Sequence, residues 1–252
     1  METFLYIYVF IVGLILGSFY NVVGLRVPLK QSIVRPRSAC PHCGHQLSAR
    51  ELIPVFSFLL QKGKCRSCRA RISPLYPIVE WITGCLFLLA PLTFGWTEEL
   101  LIVWTFESLL VIIFVSDIKY MLIPDQVLLF FAALFLLERV LIPLEPWWDS
   151  LVGSLGGFIL LFVIAVISKG GMGGGDIKLF ALLGFVLGIK LVLVSFLLST
   201  LFGALYGVIA IITKKVKRKQ AIPFGPFIAL GALTAYFYGE IMIDNYIEFL
   251  IR

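Results

Sequence analysis

The chain has 252 residues, of which 60% are apolar and only 14% charged, and its formal net charge is +6. With a mean hydropathy of +1.00, it carries too much apolar surface for a water-soluble fold of this length, which excludes an ordinary soluble globular domain. The positive balance does not indicate a nucleic-acid partner, because no basic helix with interleaved base-stacking aromatics occurs.

Apolar runs lie at about 4–25, 77–96, 100–117, 125–144, 150–168, 177–189, 191–213 and 222–240. A helix needs roughly 20 residues to cross the hydrocarbon, and long runs rather than alternating ten-residue segments argue for helices over a barrel. The expected fold is therefore all-α: a polytopic membrane protein with about eight transmembrane helices and a small cytoplasmic zinc-ribbon-like insert. The first run has no basic region before it and no small-residue cleavage site after it, so it is expected to be a retained span.

Residues 26–76 form the insert. Arg26, Lys30, Arg35, Arg37, Arg50, Lys62, Lys64, Arg66, Arg69 and Arg71 face a single acid, Glu51, so the insert is expected to be cytoplasmic. Alternation then places the run "KKVKRK", 214–219, inside as well, and leaves Glu98, Glu99, Glu145, Asp149, Glu240, Asp244 and Glu248 outside. Within the insert, Cys40, Cys43, Cys65 and Cys68 make two C-x-x-C pairs. Two such turns offer four thiolates, the tetrahedral set Zn²⁺ prefers, and the closed site is structural because it leaves no position for water. Disulfides are the alternative, less suited to a reducing compartment. His42 and His45 are expected as neighbours rather than ligands, and Cys85, in the second span, as a small packing residue.

Acids inside spans are costly and usually functional. Glu80 is expected to anchor the insert to a helix, and Glu107 to be a buried hydrogen-bonded acid. Asp117 ends the third span. Asp125, in "IPDQV", reads as a turn followed by a helix cap, and Glu138, beside Arg139, as an interfacial residue. Asp176 follows the glycines of "GGMGGGD" and opens the long run 177–213, in which Gly188 and Lys190 mark a hairpin; because its first half is short, a seven-span or re-entrant arrangement stays open. Asp117 and Asp176 fall at the same cytoplasmic boundary and can therefore meet. Two adjacent carboxyls can divide the work, one activating a water while the other hydrogen-bonds a peptide carbonyl. Glycines 173–175 let the backbone bend and a substrate strand approach. A phosphate loop does not fit, since no Lys-Ser/Thr pair follows.

Together, "GSFYNVVGLRVP", the two C-x-x-C pairs, "GKCRSC", "ISPLYPIVE", "DIKYMLIPD", "GGGDIKLFALLG" and "IPFGPFIA" resemble the bacterial type IV prepilin peptidases, the competence-associated members above all. The resemblance implies an aspartic endopeptidase with Asp117 and Asp176 as its catalytic pair, cutting the leaders of prepilins or pseudopilins on the cytoplasmic side of the plasma membrane. It also implies S-adenosylmethionine-dependent methylation of the new amino terminus, with Gly63 and Lys64 in the corresponding motif. The expected division is a first span at 1–25, a four-cysteine zinc-binding loop linked to methyl transfer at 26–76, and a membrane-embedded peptidase at 77–252. A G-x-G-D protease without methyl transfer and a proton-coupled transporter are the rival readings.

Overall fold

The computed structural model describes residues 2–169, 171–214 and 222–251. The basic run from 215 to 219, expected to be cytoplasmic, lies outside the described residues. Long helices dominate and no strand forms among the described residues, where pairing is limited to two isolated bridges. The chain divides into two compact units, 1–115 and 116–252.

The first unit holds α1 (Glu2–Arg26), α2 (Phe56–Leu60), α3 (Leu75–Phe94) and α4 (Glu99–Tyr120) up to residue 115. In lipid, apolar side chains gain little by leaving hydrocarbon, so helices associate where small residues let their backbones approach. The G-x-x-x-G pair Gly13 and Gly17 supplies that face on α1. A Cβ on Gly13 would stand 2.9 Å from the Cα of Gly84, and one on Gly17 would stand 2.8 Å from Thr83 Oγ1, so α1 and α3 pack nearly backbone to backbone. Polar contacts fasten the same bundle: Asn21 Nδ2 donates to the Tyr76 carbonyl at 3.2 Å, and Trp104 Nε1 donates to the Phe87 carbonyl at 3.1 Å. Cys85 does not pack inside; it is exposed on α3, on the face this membrane helix turns outward.

The second unit contains α5 (Asp125–Leu141), α6 (Asp149–Ile167), α7 (Gly174–Ile212) and α8 (Gly225–Ile251). The long α7 is two helices joined at one residue, Gly188, whose φ of 75° and ψ of 175° break the helix. Phe180 and Phe196, eight residues to either side, meet with ring centroids 6.0 Å apart, so the halves fold back on each other. The break frees backbone groups from the helical ladder, and side chains from two neighbouring helices satisfy them. Arg139 Nη2 donates to the Val186 carbonyl at 2.7 Å, and Asp149 Oδ1 accepts from the Ile189 N–H at 3.2 Å. Arg139 and Glu138 are buried there, so Glu138 is not the interfacial residue expected.

Six described helices are long and apolar enough to cross a membrane: α1, α3, α4, α6, α7 and α8. Adding α5, which at 17 residues is about 25 Å long, these helices carry all eight apolar runs, with α7 holding two. The last run ends at 240 by hydropathy, but α8 continues to Ile251.

The Gly188 turn is directly testable. A Cβ there would lie 2.0 Å from Asp149 Oδ2 in a conformation other residues rarely adopt. Gly188→Ala should therefore cost about 1–3 kcal/mol or more, read as a lowered Tm in detergent, whereas an unchanged Tm would contradict the one-residue hairpin.

Candidate active site and metal centre

Asp117 sits one turn before the end of α4, and the chain turns sharply after it. The Met121 N–H donates to the Asp117 carbonyl at 2.8 Å, Met121 takes a φ of 52°, and the Ser116 hydroxyl donates to the Leu122 carbonyl. This turn delivers Ile123 to the start of α7. There a Cβ on Gly175 would fall 2.8 Å from the Ile123 Cβ, so the missing side chain is what allows the approach. Gly173 caps α7 and its carbonyl accepts the Asp176 N–H at 3.1 Å, which puts Asp176 in the first helical turn. Asp117 is buried and Asp176 half-buried, and the two carboxyls are near enough for their charges to interact.

The strongest contact at this site is not legible as such in the sequence. The Gly225 N–H, at the start of α8, donates to Asp117 Oδ2 at 2.7 Å. A Cβ on Gly225 would stand 2.8 Å from that oxygen. The only signal is the Gly-Pro pair of "IPFGPFIA", which marks a helix start without saying what it faces. Asp125 is the first residue of α5, and its carboxylate pairs with Lys178 Nζ at 2.8 Å on the exposed surface.

The four cysteines form the second cluster. Their Sγ atoms all lie within 4.8 Å of one another, with Cys40 to Cys68 at 3.8 Å and Cys43 to Cys65 at 4.0 Å. A tetrahedral zinc site with Zn–S bonds of about 2.3 Å has sulfur–sulfur edges of roughly 3.8 Å, so the thiols fit a metal of that kind. Two turns repeat one hydrogen-bond pattern. Cys40 N–H donates to the His45 carbonyl and Gly44 N–H to the Cys40 carbonyl, while Cys65 N–H donates to the Ala70 carbonyl and Arg69 N–H to the Cys65 carbonyl. The bridges Ala39–Gln46 and Lys64–Arg71 extend the correspondence. At the matching turn position the first repeat has Gly44 at φ 72° and the second has Arg69 at φ 61°.

His45 lies in the first cysteine turn, where its side chain meets an acid. Its Nε2 meets Glu51 Oε2 at 3.3 Å, and the same carboxylate accepts from the Ser48 N–H at 3.0 Å and the Ser48 hydroxyl at 2.8 Å. The Ser48 hydrogen bonds, with a smaller contribution from His45, hold the Glu51 carboxyl down at about 2.

Gly63 has a local reason to be glycine. It closes α2 at φ 67°, its N–H donates to the Phe58 carbonyl at 2.9 Å, and a Cβ would press on the Phe58 ring at 3.0 Å. Lys64 is exposed beside Cys65. Glu80 Oε2 accepts the Val55 N–H at 2.7 Å, tying the insert to α3, and Val55 holds a φ of 63° that a β-branched residue adopts only under constraint. Glu107 is fully buried, but neither of its carboxyl oxygens has a hydrogen-bond partner among the described residues, so the expected hydrogen-bonded acid is not what is found.

A helical membrane fold with several spans, two aspartates at neighbouring helix ends and a four-thiolate cluster defines a narrow class. Residues 11–94 match the bacterial peptidase A24 N-terminal domain, and residues 104–208 match the type IV leader peptidase family. A Bacillus subtilis protein named prepilin leader peptidase/N-methyltransferase is 51% identical over 95% of this chain and 96% of its own length. Proteins of the same name from Aeromonas salmonicida and Pseudomonas aeruginosa are each 33% identical, covering 96% and 95% of this chain and 94% and 92% of their own lengths. No solved structure matches significantly. The chain belongs to the type IV leader peptidase family.

The two cysteine turns make a matched pair of predictions. Gly44→Ala should weaken metal retention against a chelator, and Arg69→Gly should strengthen it, each corresponding to about 1 kcal/mol of imposed or relieved left-handed strain. Equal retention in both variants would contradict the repeat.

Proposed function

We propose that this chain removes the leader of type IV prepilins or pilin-like proteins and then methylates the new amino terminus, as the names of its relatives suggest. The observation that carries the reading is the 51% identity to a prepilin leader peptidase/N-methyltransferase over nearly the whole chain, and the presence of Asp117 and Asp176 in one compact unit supports it. The excess of Lys and Arg in the insert supports a cytoplasmic site on the plasma membrane. In this proposal the peptidase occupies 77–252, and the insert at 26–76 serves methyl transfer.

Hydrolysis at such a site needs a water, a base and a hydrogen-bond donor to the scissile carbonyl. Asp117 and Asp176 take these roles between them: one carboxylate draws the proton from water as it attacks, and the other, protonated, donates to the carbonyl oxygen. When the tetrahedral intermediate collapses, the departing amine takes up a proton from the pair. The Gly225 N–H fixes one oxygen of Asp117 and so orients the other.

We assign Zn²⁺ to the four thiolates, where it fastens the insert and takes no part in the reaction. S-adenosylmethionine supplies an electrophilic methyl group when bound. Lys64 contributes an exposed cation suited to the donor's carboxylate, and Gly63 sets the turn that presents it. A leader peptidase without methyl transfer is the second reading, favoured by the local reasons found for Gly63.

The test is mass spectrometry of a purified prepilin treated with the reconstituted protein. Asp117→Asn and Asp176→Asn should each slow leader removal by at least about 10²-fold while keeping the wild-type Tm, and Lys64→Ala should give cleaved but unmethylated product. Near wild-type cleavage in either Asn variant would overturn the assignment, and an unmethylated wild-type product would select the second reading.

A further inference from the structure

The insert carries an apolar face that its own fold leaves open. Leu52, Ile53, Phe56, Leu59 and Leu60 are 43%, 48%, 61%, 63% and 82% exposed. Five apolar side chains close together on one short segment exceed the scattered exposure expected of an aqueous surface, and such patches mark contact with a partner or a membrane. The segment also has a fixed place. Val55, at its centre, donates its N–H to Glu80, and Glu80 lies five residues into α3 from Leu75. That is about 7.5 Å along a membrane helix. On α3 itself, Ile78 and Trp81, one turn or less from Glu80, are 48% and 52% exposed and face outward. Phe56 therefore starts α2 at a level where the neighbouring helix already presents apolar and aromatic side chains.

The charges around this face fit one occupant. Arg50, Lys62 and Lys64 flank it and are not buried, and the nearby acid, Glu51, is turned inward onto Ser48 and His45. Apolar side chains bordered by Lys and Arg form the pattern of a segment lying in the headgroup region of an anionic leaflet. We propose that the segment from Leu52 to Leu60 is seated in the interface of the leaflet that α1 and α3 enter, with Arg50 and Lys62 reaching its acidic headgroups. The insert is then held down at two kinds of contact, the Glu80 hydrogen bond and the lipid-embedded α2. The turn from Lys62 to Cys65, which leaves α2 directly, is held at the membrane surface and not free in the aqueous phase. This placement does not depend on the peptidase or methyl-transfer assignments.

A photoreactive benzophenone amino acid at position 60, in full-length metal-loaded protein in nanodiscs of phosphatidylcholine and phosphatidylglycerol, tests the proposal. Irradiation should give a phospholipid adduct identified by mass, with the same result at position 56 and none at position 37, which lies elsewhere in the insert. Metal content equal to wild type checks that each variant is folded. Omitting phosphatidylglycerol should lower the adduct yield several-fold, as expected for two cations near an anionic surface, and an unchanged yield would overturn the headgroup contacts. Crosslinking to a second copy of the chain or to an added prepilin in place of lipid, or no adduct at either position, would overturn the whole placement.

Discussion

The hydrogen bond from the Gly225 N–H to Asp117 is the contact on which the candidate site depends. It joins the end of α4 to the start of α8 at 2.7 Å, and only a glycine leaves room for it. A carboxyl at the end of a membrane helix has few partners, because neighbouring backbone groups are committed to their own helix. The first N–H groups of a helix are the exception, since they have no partner within it. The start of α8 thus supplies a donor that needs an acceptor, and Asp117 is that acceptor. Asp176 is placed by a parallel device, in which α7 begins at glycines whose bare backbone can lie against Ile123.

Around these contacts, the two units rely on a shared means of packing. Gly13 and Gly17 seat α1 on α3, while Gly153 and Gly157 seat α6 on the α7 hairpin, where added Cβ atoms would fall 2.2 Å from the Gly184 carbonyl oxygen and 2.4 Å from that of Phe180. Both pairs have the same four-residue spacing, which lines up one face of a helix. The apolar side chains left over face outward and remain exposed in large numbers, as a membrane environment requires. The insert has no such core, and the cysteine turns together with the Glu80 bond give it its structure.

The spans are legible because hydropathy reports directly on the solvent a helix must face. The cysteine cluster is legible because two equal spacings leave a metal few other geometries. What cannot be read are contacts made by backbone groups: the Gly225 N–H, the Val186 carbonyl held by Arg139, and the Val55 N–H held by Glu80 all lie 25 or more residues from their partners. Every residue offers such a carbonyl and every residue except proline such an N–H, so no pattern announces them. Glu138 and Cys85 depart from expectation for a related reason. Their depth along a span is clear, but which way each faces depends on neighbours that a single run does not specify. Glu107 shows the limit in the other direction, since its burial follows from its run while the expected hydrogen-bond partner is missing among the described residues.

Because Asp117 is oriented by one N–H, its role can be tested without touching either aspartate. Gly225→Ala forces a Cβ toward Asp117 Oδ2 while leaving the insert and its thiolates intact. The measurement is the single-turnover rate of leader removal by this variant, alongside methyl transfer to a synthetic peptide that already has the mature amino terminus. The cleavage rate should fall by at least about tenfold, equivalent to about 1.4 kcal/mol of transition-state stabilisation, with methyl transfer retained. Undiminished cleavage would contradict that role.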